Sequence, residues 1–159
     1  MNGTVVIGLG NPLLRDEGIG VYLLQQLAER YDCDGIKLSD LGTSGMSVLH
    51  VIAHKKKAVI MDCAFMGEKA GTIKRFTRED VRSVKPVHGI SLHEGDLFST
   101  LALSESLGEC PEQVVLFGIE PAHIEAGEGL SPELTRQTAH YLAVLAAELG
   151  LAEKQHPTA

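Results

Sequence analysis

Three side chains far apart in the chain have the types needed for metal-assisted or acid–base hydrolysis: Glu17, Asp62 and His93. Two carboxylates and an imidazole make an O,O,N donor set that leaves coordination positions open, which suits a borderline divalent ion such as nickel or zinc. Either carboxylate could equally act as a general base. Each residue also has a plainer use. Asp16 and Glu17 stand where acids favour the positive end of a helix. Asp62 has the chemistry to cap a following turn. His93 has acidic neighbours in Glu94 and Asp96 and competes with His88 and His123 as a ligand. Spacing alone permits the three-residue set without selecting it.

Other catalytic patterns fit less well. Gly8-Leu9-Gly10 begins a dinucleotide-type GxGxxG, but Leu13 occupies the third glycine position, so the fingerprint is incomplete. The Walker pattern and the GxSxG elbow are both missing from the sequence. Cys63, beside Asp62, reads as a packed strand residue rather than a nucleophile.

The elements that must position these groups follow from periodicity. Residues 5–9 form a continuous apolar run entering the turn-rich Gly8-Leu9-Gly10-Asn11-Pro12, a buried strand leading into a loop. Ile19, Tyr22, Leu23, Leu27 and Tyr31 recur at helical spacing from a start near Glu17-Gly18. Residues 36–41 predict a second strand, and Met46, Leu49 and Ala53 trace a second helix. Residues 58–62 predict a third buried strand that ends on the carboxylate of Asp62. Residues 71–76 predict a further strand and residues 86–91 an irregular loop. Residues 94–107 predict a third helix with Leu97, Phe98, Leu101 and Ala102 on one face. Residues 114–119 predict a late buried strand ending in Glu120-Pro121. Ser131-Pro132-Glu133 combines a capping hydroxyl, a proline at the first helical position and an early acid. Leu134, Thr138, Tyr141, Leu142, Leu145 and Leu149 form that helix's buried stripe, and Gly150 stops it.

Alternating strands and helices predict an α/β/α sandwich: a mostly parallel, twisted sheet covered on both faces. Neither a repeat nor a linker divides it, so residues 1–152 read as one domain, with a tail that frays from Glu153. In such open sheets ligands bind beyond the carboxyl ends of the strands, the edge to which Glu17, Asp62 and His93 are all assigned.

Composition narrows the functions. The 159 residues are 44% hydrophobic and 22% charged, an ordinary globular balance. A formal charge of −7 argues against phosphate-backbone binding. The basic run Lys55-Lys56-Lys57 reads as a solvated helix end. Cys33, Cys63 and Cys110 have no CxxC spacing, as expected of a reduced cytoplasm. The start of the chain has no signal-peptide pattern, and no apolar stretch approaches the roughly 20 residues that span a bilayer. The protein is expected to stay in the cytoplasm.

Taken in order, GLGNPLLRDEGIG (8–20), DLGTSGM (40–46), IMDCA (60–64), GTIKRF (71–76), SLHEGDL (91–97), GIEP (118–121) and GLSPEL (129–134) resemble the nickel-iron hydrogenase maturation endopeptidases. The likeness runs from Val5 to about Leu149 and implies a phosphorylase/hydrolase-like three-layer fold. It implies an enzyme that clips a C-terminal extension from the hydrogenase large-subunit precursor once nickel is inserted. The family's metal-contacting residues fall on Glu17, Asp62 and His93. Its glycine-rich substrate-recognition box falls on Asp40, Gly42, Thr43 and Gly45, with Leu41 where the family usually has glycine. The implied nickel comes with the substrate, so no permanently bound metal is expected.

Two rivals remain open at this point. Peptidyl-tRNA hydrolases also begin with a strand and GLGNP, but continue into an Arg-His-Asn element where this chain has Arg15-Asp16-Glu17. A non-catalytic chaperone that inspects the nickel site would use the same three residues. With few aromatic residues available for an obligate interface, a monomer that meets its substrate transiently is expected.

Overall fold

The computed structural model describes residues 3–82, 91–92 and 97–155. In chain order its elements are β1 (Thr4–Leu9), a 3-10 turn (Arg15–Gly18), α1 (Ile19–Arg30), β2 (Lys37–Gly42), α2 (Ser47–Ile52), β3 (Lys57–Phe65), β4 (Ile73–Thr77), α3 (Arg78–Arg82), β5 (Ser91–Leu92), α4 (Leu97–Ser106), β6 (Gln113–Ile119) and α5 (Pro132–Leu149). Five strands lie in the order β2-β1-β3-β6-β4. The first four run parallel and β4 pairs antiparallel with β6. The short β5 adds to the far end of β3.

Alternate residues of the central strands feed two cores. Val6, Val59, Met61, Cys63, Val115 and Phe117 pack with α1 and α5. Val5, Ile7, Ala58, Ile60, Ala64 and Leu116 pack with α2 and α4. Burial on both faces explains why β1, β3 and β6 read as continuous apolar runs. The expected mostly parallel α/β/α sandwich is the observed fold.

Several local expectations need correction. The third strand does not stop at Asp62: β6 pairs with it as far as Cys63, and β5 pairs with Ala64 and Phe65. α2 buries Val48 and Ile52, while Met46 is 55% exposed. With six residues and apolar side chains on several sides, that helix is too short for its period to select a face. α4 buries Thr100 and Ser104 with Leu97 and Leu101, leaving Ala102 exposed and Phe98 half-buried. Lys57 is no solvated helix end: it opens β3, and its Nζ donates to Glu148 Oε2 at 2.8 Å. Past α5 the chain is held rather than frayed as far as Lys154, whose N–H donates to Arg30 O at 2.8 Å. The expected loop at 86–90, the start of the third helix at 94–96, and both His88 and His93 lie outside the described residues.

α5 matches its sequence signals closely. Ser131 Oγ accepts from Leu134 N, Pro132 opens the helix, and Gly150 closes it in the left-handed conformation at φ 65°.

Candidate active site at the sheet's switch point

From β1 the chain turns one way through α1 to β2, then crosses the opposite face through α2 to β3 on the other side of β1. The junction of β1 and β3 is therefore the topological switch point, the place beyond the strand ends where open α/β sheets bind their ligands. Glu17 and Asp62 border it. Pairing between β1 and β3 ends at Gly8 and Met61, so Asp62 is the first β3 residue beyond it, and Gly118 of β6 flanks its other side. Glu17 sits in the 3-10 turn between β1 and α1, packed against β3.

Both acids are fully buried. Asp62 Oδ1 accepts from Cys63 N at 2.8 Å, which fixes the carboxylate against its own strand. The Cys63 thiol lies on the opposite face of β3, in the core shared with α1 and α5. Burial first, then the charges of Asp62, Glu17, Asp16 and Glu120, push it far above the ordinary thiol range. A thiol so placed is protonated at neutral pH and is no nucleophile.

Close approach explains the glycines of the first loop. Gly10 has φ 126°, and a Cβ there would lie 1.8 Å from the carbonyl oxygen of Glu17. At Gly20 a Cβ would meet Met61 O at 2.3 Å and Leu9 O at 2.4 Å. These glycines let the turn and α1 press onto the strand ends. They serve packing, not a phosphate cradle.

Asp16 and Glu120 were not singled out as organisers from the sequence. Asp16 is fully buried and accepts three backbone hydrogen bonds, from Ala122 (2.8 Å), His123 (2.9 Å) and Ser131 (2.7 Å). Its partners lie more than a hundred residues away, so no local signal points to them. Glu120 Oε1 accepts from Met66 N at 2.8 Å and Glu68 N at 2.9 Å, clasping the loop after β3. An acid ending a buried strand was the same signal that drew attention to Asp62.

The box at 40–45 forms the adjoining wall. Gly8 pairs with Asp40 and Leu9 with Gly42, so Leu41 is the extra residue of a β-bulge. Its side chain packs on the α2–α4 core. Asp40 Oδ1 accepts from Gly42 N at 2.9 Å, and Gly42 O accepts from Gly10 N at 2.7 Å, which ties the box to the first loop. Thr43 is exposed and Gly45 buried.

Among the described residues no group of three or more His, Cys, Asp or Glu side chains is disposed to hold a metal ion. Glu17 and Asp62 are two of the expected three; the third, His93, lies outside the described residues. Its chain neighbour Leu92 pairs with Ala64, two residues beyond Asp62 on β3. The competing His123 is exposed, and its backbone N–H and carbonyl are both engaged by Asp16.

A family model described as hydrogenase maturation protease matches residues 21–148. The chain belongs to the hydrogenase maturation protease family. It is 34% identical over 130 residues to the Hydrogenase 2 maturation protease of Escherichia coli K12, covering 80% of this chain and 79% of that protein. It is 31% identical over 147 residues to the hydrogenase expression/formation protein HupM of Azotobacter chroococcum, covering 91% of this chain and 70% of that one. The solved hydrogenase maturating endopeptidase HybD from E. coli superimposes with a TM-score of 0.80 at 28% identity, covering 96% of both chains. Membership of this peptidase family removes the basis for the peptidyl-tRNA hydrolase reading. No helix among the described residues is long and apolar enough to cross a membrane.

Proposed function

We propose that this protein is the endopeptidase that removes the C-terminal extension of a nickel-iron hydrogenase large-subunit precursor after nickel insertion. One observation carries the reading: in a chain of the maturation protease family, two fully buried acids from different elements, Glu17 and Asp62, stand at the switch point of the sheet. Two buried carboxylates together with an imidazole make an O,O,N donor set that suits a divalent ion arriving with the substrate. The precursor's nickel is thus part of the substrate. Glu17, Asp62 and His93 complete its coordination, and the ion polarises the scissile carbonyl or the attacking water. A carboxylate takes the water's proton as the water adds to the carbonyl carbon and passes it to the leaving amine as the C–N bond breaks. Because an empty precursor lacks the ion, it cannot make these contacts, and metal check and specificity become one property.

A macromolecular substrate fits the rim. Leu13, Met46 and Phe65 are 60%, 55% and 47% exposed, and each follows or ends a strand at this edge. Apolar side chains left open at this edge suit contact with another protein. Asp40, Gly42, Thr43 and Gly45 form the substrate-recognition wall beside them.

The test is to mix the purified protein with nickel-loaded and nickel-free precursor and to weigh the precursor by mass spectrometry. Loss of a C-terminal fragment from the loaded form alone is expected, and Glu17→Gln or Asp62→Asn abolishes it with the fold intact. Tight binding without a mass change would replace this reading with the non-catalytic chaperone. Full activity in both variants would refute the site.

A further inference from the structure

The structure assigns to Asp16 the role of positioning Glu17 by anchoring its turn to the loop of residues 121–131, an inference that rests on the endopeptidase reading above. The tie is extensive. Beyond the three N–H groups on its carboxylate, Asp16 N donates to His123 O at 3.1 Å and Arg15 N to Gly127 O at 3.1 Å. Gly127 N donates back to Leu13 O at 2.9 Å, and Leu14 and Gly127 form an isolated parallel bridge. Arg15 is held at φ 53°, a left-handed backbone that a non-glycine residue keeps only when its surroundings over-determine it. On the other side the Glu17 carbonyl abuts Gly10. Glu17 is therefore clamped between the first loop and a segment that follows β6.

The 121–131 loop adds only Ile124 and Leu130, both partly buried, to the core. Polar ties to the Glu17 turn, rather than apolar burial, hold it in place. A carboxylate can accept all three N–H groups at once, whereas an amide of the same shape offers one oxygen and turns an NH2 toward the donors. Ser131, one of those donors, is also the N-cap of α5, so the positive end of that helix faces the Asp16 charge.

The test compares Asp16→Asn with Leu142→Ala, a core truncation in α5 that lowers stability without touching the turn. Both are assayed on nickel-loaded precursor at a temperature where each is folded. Asp16→Asn is expected to lower kcat by about tenfold or more with KM changed less than about threefold, because displacing a reacting group by a fraction of an ångström is felt in the chemical step. Leu142→Ala should keep kcat. A second pair covers the case in which Asp16→Asn does not fold. Ser131→Ala removes the cap hydroxyl and keeps the N–H; Ser131→Pro, compatible with the φ of −60° there, removes both. Loss of kcat in Ser131→Pro beyond that in Ser131→Ala supports the role. Equal kcat in that pair, or an Asp16→Asn no worse than Leu142→Ala, would overturn it. A wild-type protein that leaves the precursor uncut would instead refute the endopeptidase reading itself.

Discussion

Replacing Gly20 with alanine sets two effects of opposite sign against each other. Gly20 is the second residue of α1, and exchanging glycine for alanine in an unconstrained helix stabilises it by about 1 kcal/mol. Here the new Cβ would sit 2.3 Å from Met61 O and 2.4 Å from Leu9 O, both backbone atoms of the sheet that no side-chain rotation can move aside. Ordinary contact requires the start of α1 to retreat by about 1 Å, and a gap of that size forfeits roughly a quarter to a half of the dispersion well for the lining atoms. Ile19, Val21, Leu23 and Leu24 all lie on the buried face that would lift. Two backbone oxygens met at once put the overpacking at the upper end of its usual range, about 3 kcal/mol, so after the helix gain we expect a net loss of about 2 kcal/mol. Urea unfolding should show a lower midpoint at unchanged slope. Ala28→Gly, on the exposed face of the same helix, supplies the propensity reference and should lose about 1 kcal/mol. A Gly20→Ala protein as stable as wild type, or more so, would refute the argument that this glycine exists for close approach.

Other outcomes follow from the same structure. Burial raises the pKa of Glu148, but hydrogen bonds from Arg75 and Lys57 outweigh it and hold the carboxyl below its ordinary 4.5. Its contribution is therefore present above about pH 4.5 and lost as pH falls through the folded value. Glu148→Gln should cost about 1–2 kcal/mol at neutral pH, and the gap to wild type should close in acid, as thermal melts across pH would record. If the gap stays constant down to full protonation, the ion pairs are not its source. Cys63, buried and shifted upward, should be the last cysteine alkylated by iodoacetamide, reacting only on unfolding, and Cys63→Ala should keep cleavage within about threefold. Rapid labelling in the native protein would contradict this. Phe65→Ser should raise KM for the precursor several-fold at unchanged kcat, whereas an unaltered KM would remove Phe65 from the docking rim.

Much of this architecture is legible in the residue order. Strands buried on both faces must be continuous apolar runs, and β1, β3 and β6 are. α5 carries its own start, stripe and stop within a few residues of each boundary. Because chain order largely dictates which strands can neighbour one another, the edge that holds Glu17 and Asp62 could be named without coordinates. The short α2 escaped, since six residues do not establish a period. So did the extension of β3 past Asp62, because it depends on partners supplied by β5 and β6.

Local chemistry, then, was determined by the sequence: element types, helix caps, and acids at strand ends. Tertiary structure alone decided which of those acids are buried at the switch point and which become anchors. Asp16 and Glu17 are neighbours in the chain, yet Asp16 binds backbone groups 106 to 115 residues away while the turn that carries Glu17 packs against β3. Lys57 and Glu148, 91 residues apart, pair for the same reason. Hydrogen bonds and charges act through space, and only the packing of α1 and α5 onto one sheet brings such distant groups within their reach.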